Sequence, residues 1–197
     1  MYARGLVLRA YLIFIKKYDK IYIDNRKGLM IMSKFIFLDI DGVLNDDETY
    51  TTAPYGGTGL DEHHLYQLKH LITNTGAKVI LSSDWKFNSP DWAFSFPGWD
   101  KELKDKTWKY LVDSLDKWGI TIAAIVPHHT YRRGTEISMF LTDKLPCQYV
   151  ILDDLPKDEF PTHIPHLVHT DPTVGLTWDN IWEAQEKMKI IAKEVSA

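Results

Sequence analysis

Three short tracts carry the residues best suited to chemistry: Asp39-Ile40-Asp41-Gly42, Ser82-Ser83-Asp84 and Asp153-Asp154. Each follows a strand-like segment, 35–38, 78–81 and 148–152, wholly apolar in the first and apolar after Lys78 and Gln148 in the others, of the kind that forms a buried parallel strand. In an open parallel sheet, ligands bind beyond the carboxyl ends of the strands, so all three tracts are expected on one edge. Side chains alternate along an extended chain, which points Asp39 and Asp41 the same way if that conformation continues through them. Gly42 allows a sharp turn just after. Carboxylates converging on one edge repel, and a cation is the natural compensation. Oxygen-only ligands favour magnesium, which also bridges to a phosphate. Taken singly, an Asp-x-Asp is an ordinary turn, a Ser-Ser an ordinary helix cap and an Asp-Asp an ordinary loop. Their occurrence in order at the ends of successive strands carries the reading.

The elements that must position these tracts follow from hydrophobic periodicity. Residues 60–74 place Leu60, His64, Leu68, Leu71 and Ile72 at helical spacing, and Asn74–Gly76 closes that helix. Further helices are expected near 105–117, near 134–144 and from about 177 to 193. Further strands are expected at 120–126 and near 166–169. Alternating strands and helices imply an α/β fold with a mostly parallel sheet covered on both faces. Residues 86–107 are aromatic and turn-rich, without a clear period.

The chain has 197 residues, 45% hydrophobic and 25% charged, an ordinary globular composition that fits one main domain. Its single cysteine, Cys147, excludes a disulfide framework or a multi-cysteine zinc site and reads as a packed thiol. Charge is uneven. Residues 1–34 hold eight Lys/Arg against Asp19 and Asp24, while the rest is acidic and brings the total to −4. The apolar stretch 10–15 is too short for a membrane span and lacks the cleavage site of a secretory signal. The expectation is a cytoplasmic protein with no membrane partner. The basic leader reads either as an anchor for nucleic acid or an anionic surface, or as an extension upstream of a true start at Met30 or Met32. The second reading is preferred. It divides the chain into a basic extension, 1–33, non-native or disordered, and a working domain, 34–197.

The tract FLDIDGVLN (37–45) resembles the first motif of the haloacid dehalogenase-like (HAD) phosphohydrolases. VILSSDWK (79–86), RRGTEISMFL (132–141), YVILDDL (149–155) and HLVHTDPTVGLT (166–177) extend the likeness. The set is similar to the HAD domain of bacterial and phage Swiss Army Knife RNA-repair proteins, over about residues 34–180. This resemblance implies a HAD-like Rossmannoid three-layer sandwich. It also implies a magnesium-dependent phosphomonoester hydrolase acting through an aspartyl-phosphate.

Carried over position by position, Asp39 is the expected nucleophile. Asp41 is the acid that protonates the leaving alkoxide and then the base that activates water. The resemblance implies magnesium bound through the Asp39 side chain, the backbone carbonyl of Asp41, and the pair Asp153 and Asp154. Which of that pair binds directly is open. Ser82 is the expected hydroxyl donor to a phosphoryl oxygen, with Ser83 the neighbouring alternative and Gly42 beside the phosphate. Arg133, with Arg132 next to it, matches the basic position that neutralises the transferred group.

Cap domains in this superfamily sit between the first and second motifs or after the third strand. Here only a flap over residues 45–59 fills the first gap, so no large cap is expected, and by analogy with the superfamily an open site favours a macromolecular end, such as that of a nucleic acid, or a peptide phosphate. A nucleotide or other small phosphate ester is the alternative, as is a non-catalytic module that only binds phosphate or metal. Trp85, Phe87, Trp92, Phe94, Phe96 and Trp99 read as rings that bury one another, with base stacking as the other possibility. The histidines, including His163, His166 and His169, read as surface groups or as supports behind the site rather than a zinc centre. Oligomeric state leaves no mark in the sequence.

Overall fold

The computed structural model describes residues 22–24, 29–49, 52–54, 57–90, 100–128, 130 and 132–192. The chain divides into two units, Met1–Ser33 and Lys34–Ala197. In the first, β1 (Tyr22–Asp24) pairs antiparallel with β2 (Leu29–Ile31).

The second unit is built around a sheet. In chain order it comprises β3 (Ser33–Leu38), α1 (Glu62–Thr75), β4 (Lys78–Leu81), α2 (Lys101–Lys117), β5 (Ile122–Ile125), α3 (Arg133–Leu141), β6 (Cys147–Asp153), β7 (Leu167–His169), α4 (Trp178–Lys187) and β8 (Ile191–Ala192). The strands lie in the order β5-β4-β3-β6-β7, with β8 also on β6. β3/β4, β4/β5 and β6/β7 are parallel pairs, and β8 is antiparallel. From β3 the chain steps outward through β4 and β5, then returns to the other side of β3 with β6 and β7. That reversal at β3 opens the crevice where such sheets bind ligands.

The period of two in β3 sorts its side chains between two cores. Ile36 and Leu38 face a layer built from Leu65, Leu68 and Leu71 of α1, Leu111 and Leu115 of α2, and Ile181 and Ala184 of α4. Phe35 and Phe37 face Ile137 and Leu141 of α3. The result is a three-layer α/β sandwich, helices on both faces of a mostly parallel sheet. Between β3 and α1 the described residues hold one short 3-10 turn, Asp47–Thr49, and no large cap.

Local signals explain the element ends and several departures from the sequence reading. The Asp61 carboxylate accepts from the His63 and His64 amides and starts α1 at residue 62 instead of 60. Gly76, at φ 66°, ends it by donating to the Ile72 carbonyl. α2 begins at 101 and not 105, because Asp100 caps it through the Glu102 and Leu103 amides. α3 stops at 141, short of 144, in a turn closed by Lys144 N–H on the Leu141 carbonyl. The strand expected over 120–126 is confined to 122–125. The last helix ends at 187 rather than 193: the chain turns at 188–190, and Ile191 and Ala192 pair with Gln148 and Cys147. Among the described residues no helix is long and apolar enough to cross a membrane.

Candidate functional site

The sheet ladder runs one residue past several strand ends and aligns the chemical tracts. Asp39 N–H donates to the Leu152 carbonyl at 3.0 Å, Ser82 N–H to Leu38 at 2.8 Å, and Thr170 N–H to Asp153 at 3.1 Å. Asp39, Ser82 and Asp153 therefore stand side by side at the carboxyl edge. After Asp39 the chain turns, with Val43 and Leu44 N–H both on the Ile40 carbonyl. Gly42 is required twice over in that turn. Its φ is +66°, and a Cβ there would sit 2.6 Å from Asp154 Oδ2.

Three buried groups form the centre. Asp39 (5% exposed) accepts from Ile40 N–H at 2.7 Å through Oδ1 and from Arg133 Nη1 at 2.9 Å through Oδ2. The same Nη1 lies 2.9 Å from Oδ2 of Asp153, whose Oδ1 accepts from Leu155 N–H. Nη2 of Arg133 reaches the exposed Asp84 at 3.5 Å. Arg133 is the first residue of α3, so its side chain enters from the helix start. Arg132 is exposed.

Burial shapes the charges here. It raises Asp39 above the usual carboxylate range, opposed by the Arg133 charge and a hydrogen bond from Ser83. It raises Asp153 further, reinforced by the Asp39 charge, and raises the half-buried Asp154 as well. Burial also disfavours the Arg133 cation, but Asp39 and Asp153 outweigh it and hold the guanidinium protonated.

The two serines separate by partner. Ser83 caps the 3-10 turn Asp84–Asn88, accepting from Trp85 N–H, and hydrogen-bonds Asp39. The Ser82 hydroxyl is fully buried and has no hydrogen-bond partner among the described residues. A buried, unpaired hydroxyl costs about 1–3 kcal/mol, which a bound acceptor would recover.

Asp39, Asp153 and Asp154 each offer a carboxylate oxygen, and these oxygens lie within 4.8 Å of one another. Three convergent oxygen donors fit a hard divalent cation such as magnesium. The Asp41 side chain lies outside this trio. It is exposed, and both its oxygens are engaged: Oδ1 accepts from Asn45 Nδ2 at 2.8 Å and Oδ2 from Trp85 Nε1 at 3.0 Å.

In the sequence Trp85 stands in the tract VILSSDWK and among a crowd of aromatics, with nothing to tie it to Asp41. Its contact with Asp41 spans 44 positions and has no local signature. A second feature missed in the sequence lies behind Arg133. Lys86 (1% exposed) donates to Glu136 Oε2 at 2.7 Å, and His128 Nδ1 lies 2.7 Å from Oε1 of the same buried carboxylate. Lys86 lies in the turn Asp84–Asn88 that Ser83 caps (the serine turn), and Glu136 lies on α3, three residues after Arg133. The pair therefore ties the serines to the guanidinium. Burial pulls the Lys86 ammonium below its usual range, opposed by Glu136.

The histidines correct the sequence reading in part. His64, His163 and His166 are not surface groups but buried ones. Nε2 of His163 lies 2.9 Å from the Gly134 carbonyl, which only accepts, so Nε2 carries the proton and Nδ1 accepts from the Tyr149 hydroxyl at 2.7 Å. His166 Nδ1 bonds the Tyr149 carbonyl, and the exposed His169 bonds the Asp154 carbonyl. Each is committed to protein atoms, and none joins a metal-like group among the described residues. Cys147 is fully buried, and burial pushes its thiol up to about 12. Trp85 packs in the main core. Trp92, Phe94, Phe96 and Trp99, with Tyr50, Tyr55 and Gly56 of the flap, lie outside the described residues.

A family model describing the HAD domain in Swiss Army Knife RNA repair proteins matches residues 35–181. The chain belongs to this HAD family. The match begins in β3 and ends in α4, so it spans every residue of the site described above. Family membership points to phosphohydrolase-type chemistry on a phosphorylated substrate. No curated protein matches the chain.

Proposed function

We propose that this HAD domain hydrolyses phosphomonoesters through a covalent phosphoryl group on Asp39. The observation that carries the reading is the convergence of a buried carboxylate, Asp39, with the Arg133 guanidinium and the Ser82 hydroxyl, which has no partner among the described residues, at one edge of the sheet.

In the first step an Asp39 oxygen bonds to phosphorus and the bond from phosphorus to the ester oxygen breaks. Asp41 gives its proton to the departing alkoxide. In the second step water bonds to phosphorus, the bond to Asp39 breaks, and Asp41 takes the proton back, releasing phosphate. Ser82 donates to a phosphoryl oxygen, which satisfies its hydroxyl. Arg133 moves its donors from Asp39 and Asp153 onto the transferred group and balances its charge. Ser83 holds the Asp39 carboxylate in line. Magnesium, held by Asp39, Asp153 and Asp154, would supply the charge that keeps Asp39 ionised and shields the phosphoryl oxygens.

The described residues hold no large cap, which supports a bulky substrate, and we infer a phosphorylated nucleic-acid end. The working domain is proposed to be residues 34–197, with 1–33 dispensable, and the protein to be cytoplasmic. Turnover is expected with p-nitrophenyl phosphate plus magnesium, and its loss with EDTA. A 3′- or 5′-phosphorylated oligonucleotide is expected to give a higher kcat/KM than mononucleotides. A strong mononucleotide preference would replace the nucleic-acid reading with a small-molecule one. Magnesium binding without turnover of any phosphomonoester would leave only a binding module.

A further inference from the structure

The site contains a clamp that fixes one carboxyl group in space. Asp41 is exposed, yet both of its oxygens are held from different parts of the chain. The Asn45 amide has its orientation set by Gly42 N–H, which donates to Asn45 Oδ1 at 2.8 Å, so Nδ2 must face Asp41 Oδ1. Trp85 offers only a donor, and its Nε1 reaches Asp41 Oδ2 at 3.0 Å. Both supports are themselves rigid. Asn45 is 3% exposed, and Trp85 is 8% exposed and packed in the main core. Trp85 also sits on the turn capped by Ser83, so the clamp links Asp41 to the hydroxyl tract.

An exposed aspartate on a turn would ordinarily sample several rotamers. Two fixed donors restrict it to one, and a proton donor held in place acts without the entropy cost of finding its acceptor. We propose that Trp85, assisted by Asn45, is a positioning residue that aims the Asp41 carboxyl at the leaving-group oxygen. This rests on the Asp41 role proposed above, and it adds a function for a tryptophan that otherwise only fills the core.

Positioning of an acid has a signature that packing lacks, because only poor leaving groups need the proton. kcat/KM reports the steps through phosphoryl transfer to Asp39, so it isolates the step in which the proton is given. In the full-length chain with magnesium, Trp85→Phe keeps an aromatic ring and removes the N–H. It is expected to lower kcat/KM for β-glycerophosphate by about 10- to 100-fold, a fraction of the full general-acid effect. For p-nitrophenyl phosphate, whose leaving group departs unaided, the change is expected to stay within about threefold. Asn45→Ser removes the other donor and is expected to show the same selectivity, which covers a failure of Trp85→Phe to fold.

Asp41→Asn separates the acid role of Asp41 from the clamp that holds it. If it shows no selectivity between the esters, the acid role itself fails. If it is selective but Trp85→Phe and Asn45→Ser are not, Asp41 is the acid and the clamp does not position it. Equal losses on both esters in those two variants likewise overturn the clamp and assign Trp85 to packing.

Discussion

Asp39→Asn is expected to lower phosphomonoester turnover by at least about 10⁴-fold, the scale seen when a covalent nucleophile is removed. The amide is nearly isosteric but has no anionic oxygen to attack phosphorus. Folding should survive the change. Asp39 and Asp153 both face Nη1 of Arg133, so neutralising one leaves the buried cation paired with the other. It also removes a charge that burial disfavours. The amide nitrogen must face a donor that now serves Oδ1 or Oδ2, which offsets the relief of charge, so the expected outcome is an inactive protein that still melts cooperatively, read by a phosphate-release assay beside a melting curve. Residual activity near wild type would mean that another group attacks phosphorus.

The second large effect is on stability. Lys86 and Glu136 are both almost wholly buried, and removing one partner leaves a charge without its counter-ion. Such a loss costs about 3–5 kcal/mol. In a chain of this length each kcal/mol moves Tm by about 2–4 °C, so Lys86→Met is expected to lower Tm by about 10 °C. Replacing both, Lys86→Met with Glu136→Leu, is expected to recover most of that loss, because a well-packed apolar pair can substitute for a buried ion pair. His128 keeps Glu136 partly compensated in the single variant, which places the loss toward the lower end of the range. Activity should not recover with the double variant to the same degree, since the tie between the serine turn and α3 is then no longer directional. A double variant as unstable as the single one would show that the network, and not charge burial, sets the cost.

The parts of this site that were legible in the sequence are those whose signal is local. Apolar runs ending in Asp39, Ser82 and Asp153 marked the strand ends, and the structure sets these residues side by side. Gly76 marked the end of α1 and Gly42 the sharp turn. Signals that depend on distant partners were silent. The Trp85–Asp41 contact and the Lys86–Glu136 pair join segments 44 and 50 residues apart. In the sequence nothing set His163 apart from the other histidines, because its partners Tyr149 and Gly134 lie 14 and 29 residues away. β8 was absorbed into the final helix, because two residues cannot display a period of two. The choice between Ser82 and Ser83 likewise turns on a cap and an empty hydrogen bond, which only the folded chain displays.

A phosphoryl group carried by Asp39 is exposed most directly in Asp41→Asn. With p-nitrophenyl phosphate the first step needs no acid, while the second still needs the base that this variant lacks. Rapid mixing with magnesium should release p-nitrophenolate in a burst stoichiometric with the protein, followed by slow turnover. Acid quench and peptide mass analysis should then find one phosphoryl group on the peptide containing Asp39. Steady release without a burst, no protein-bound phosphoryl group, or a phosphoryl group on any other residue would show that Asp39 does not carry the phosphoryl group.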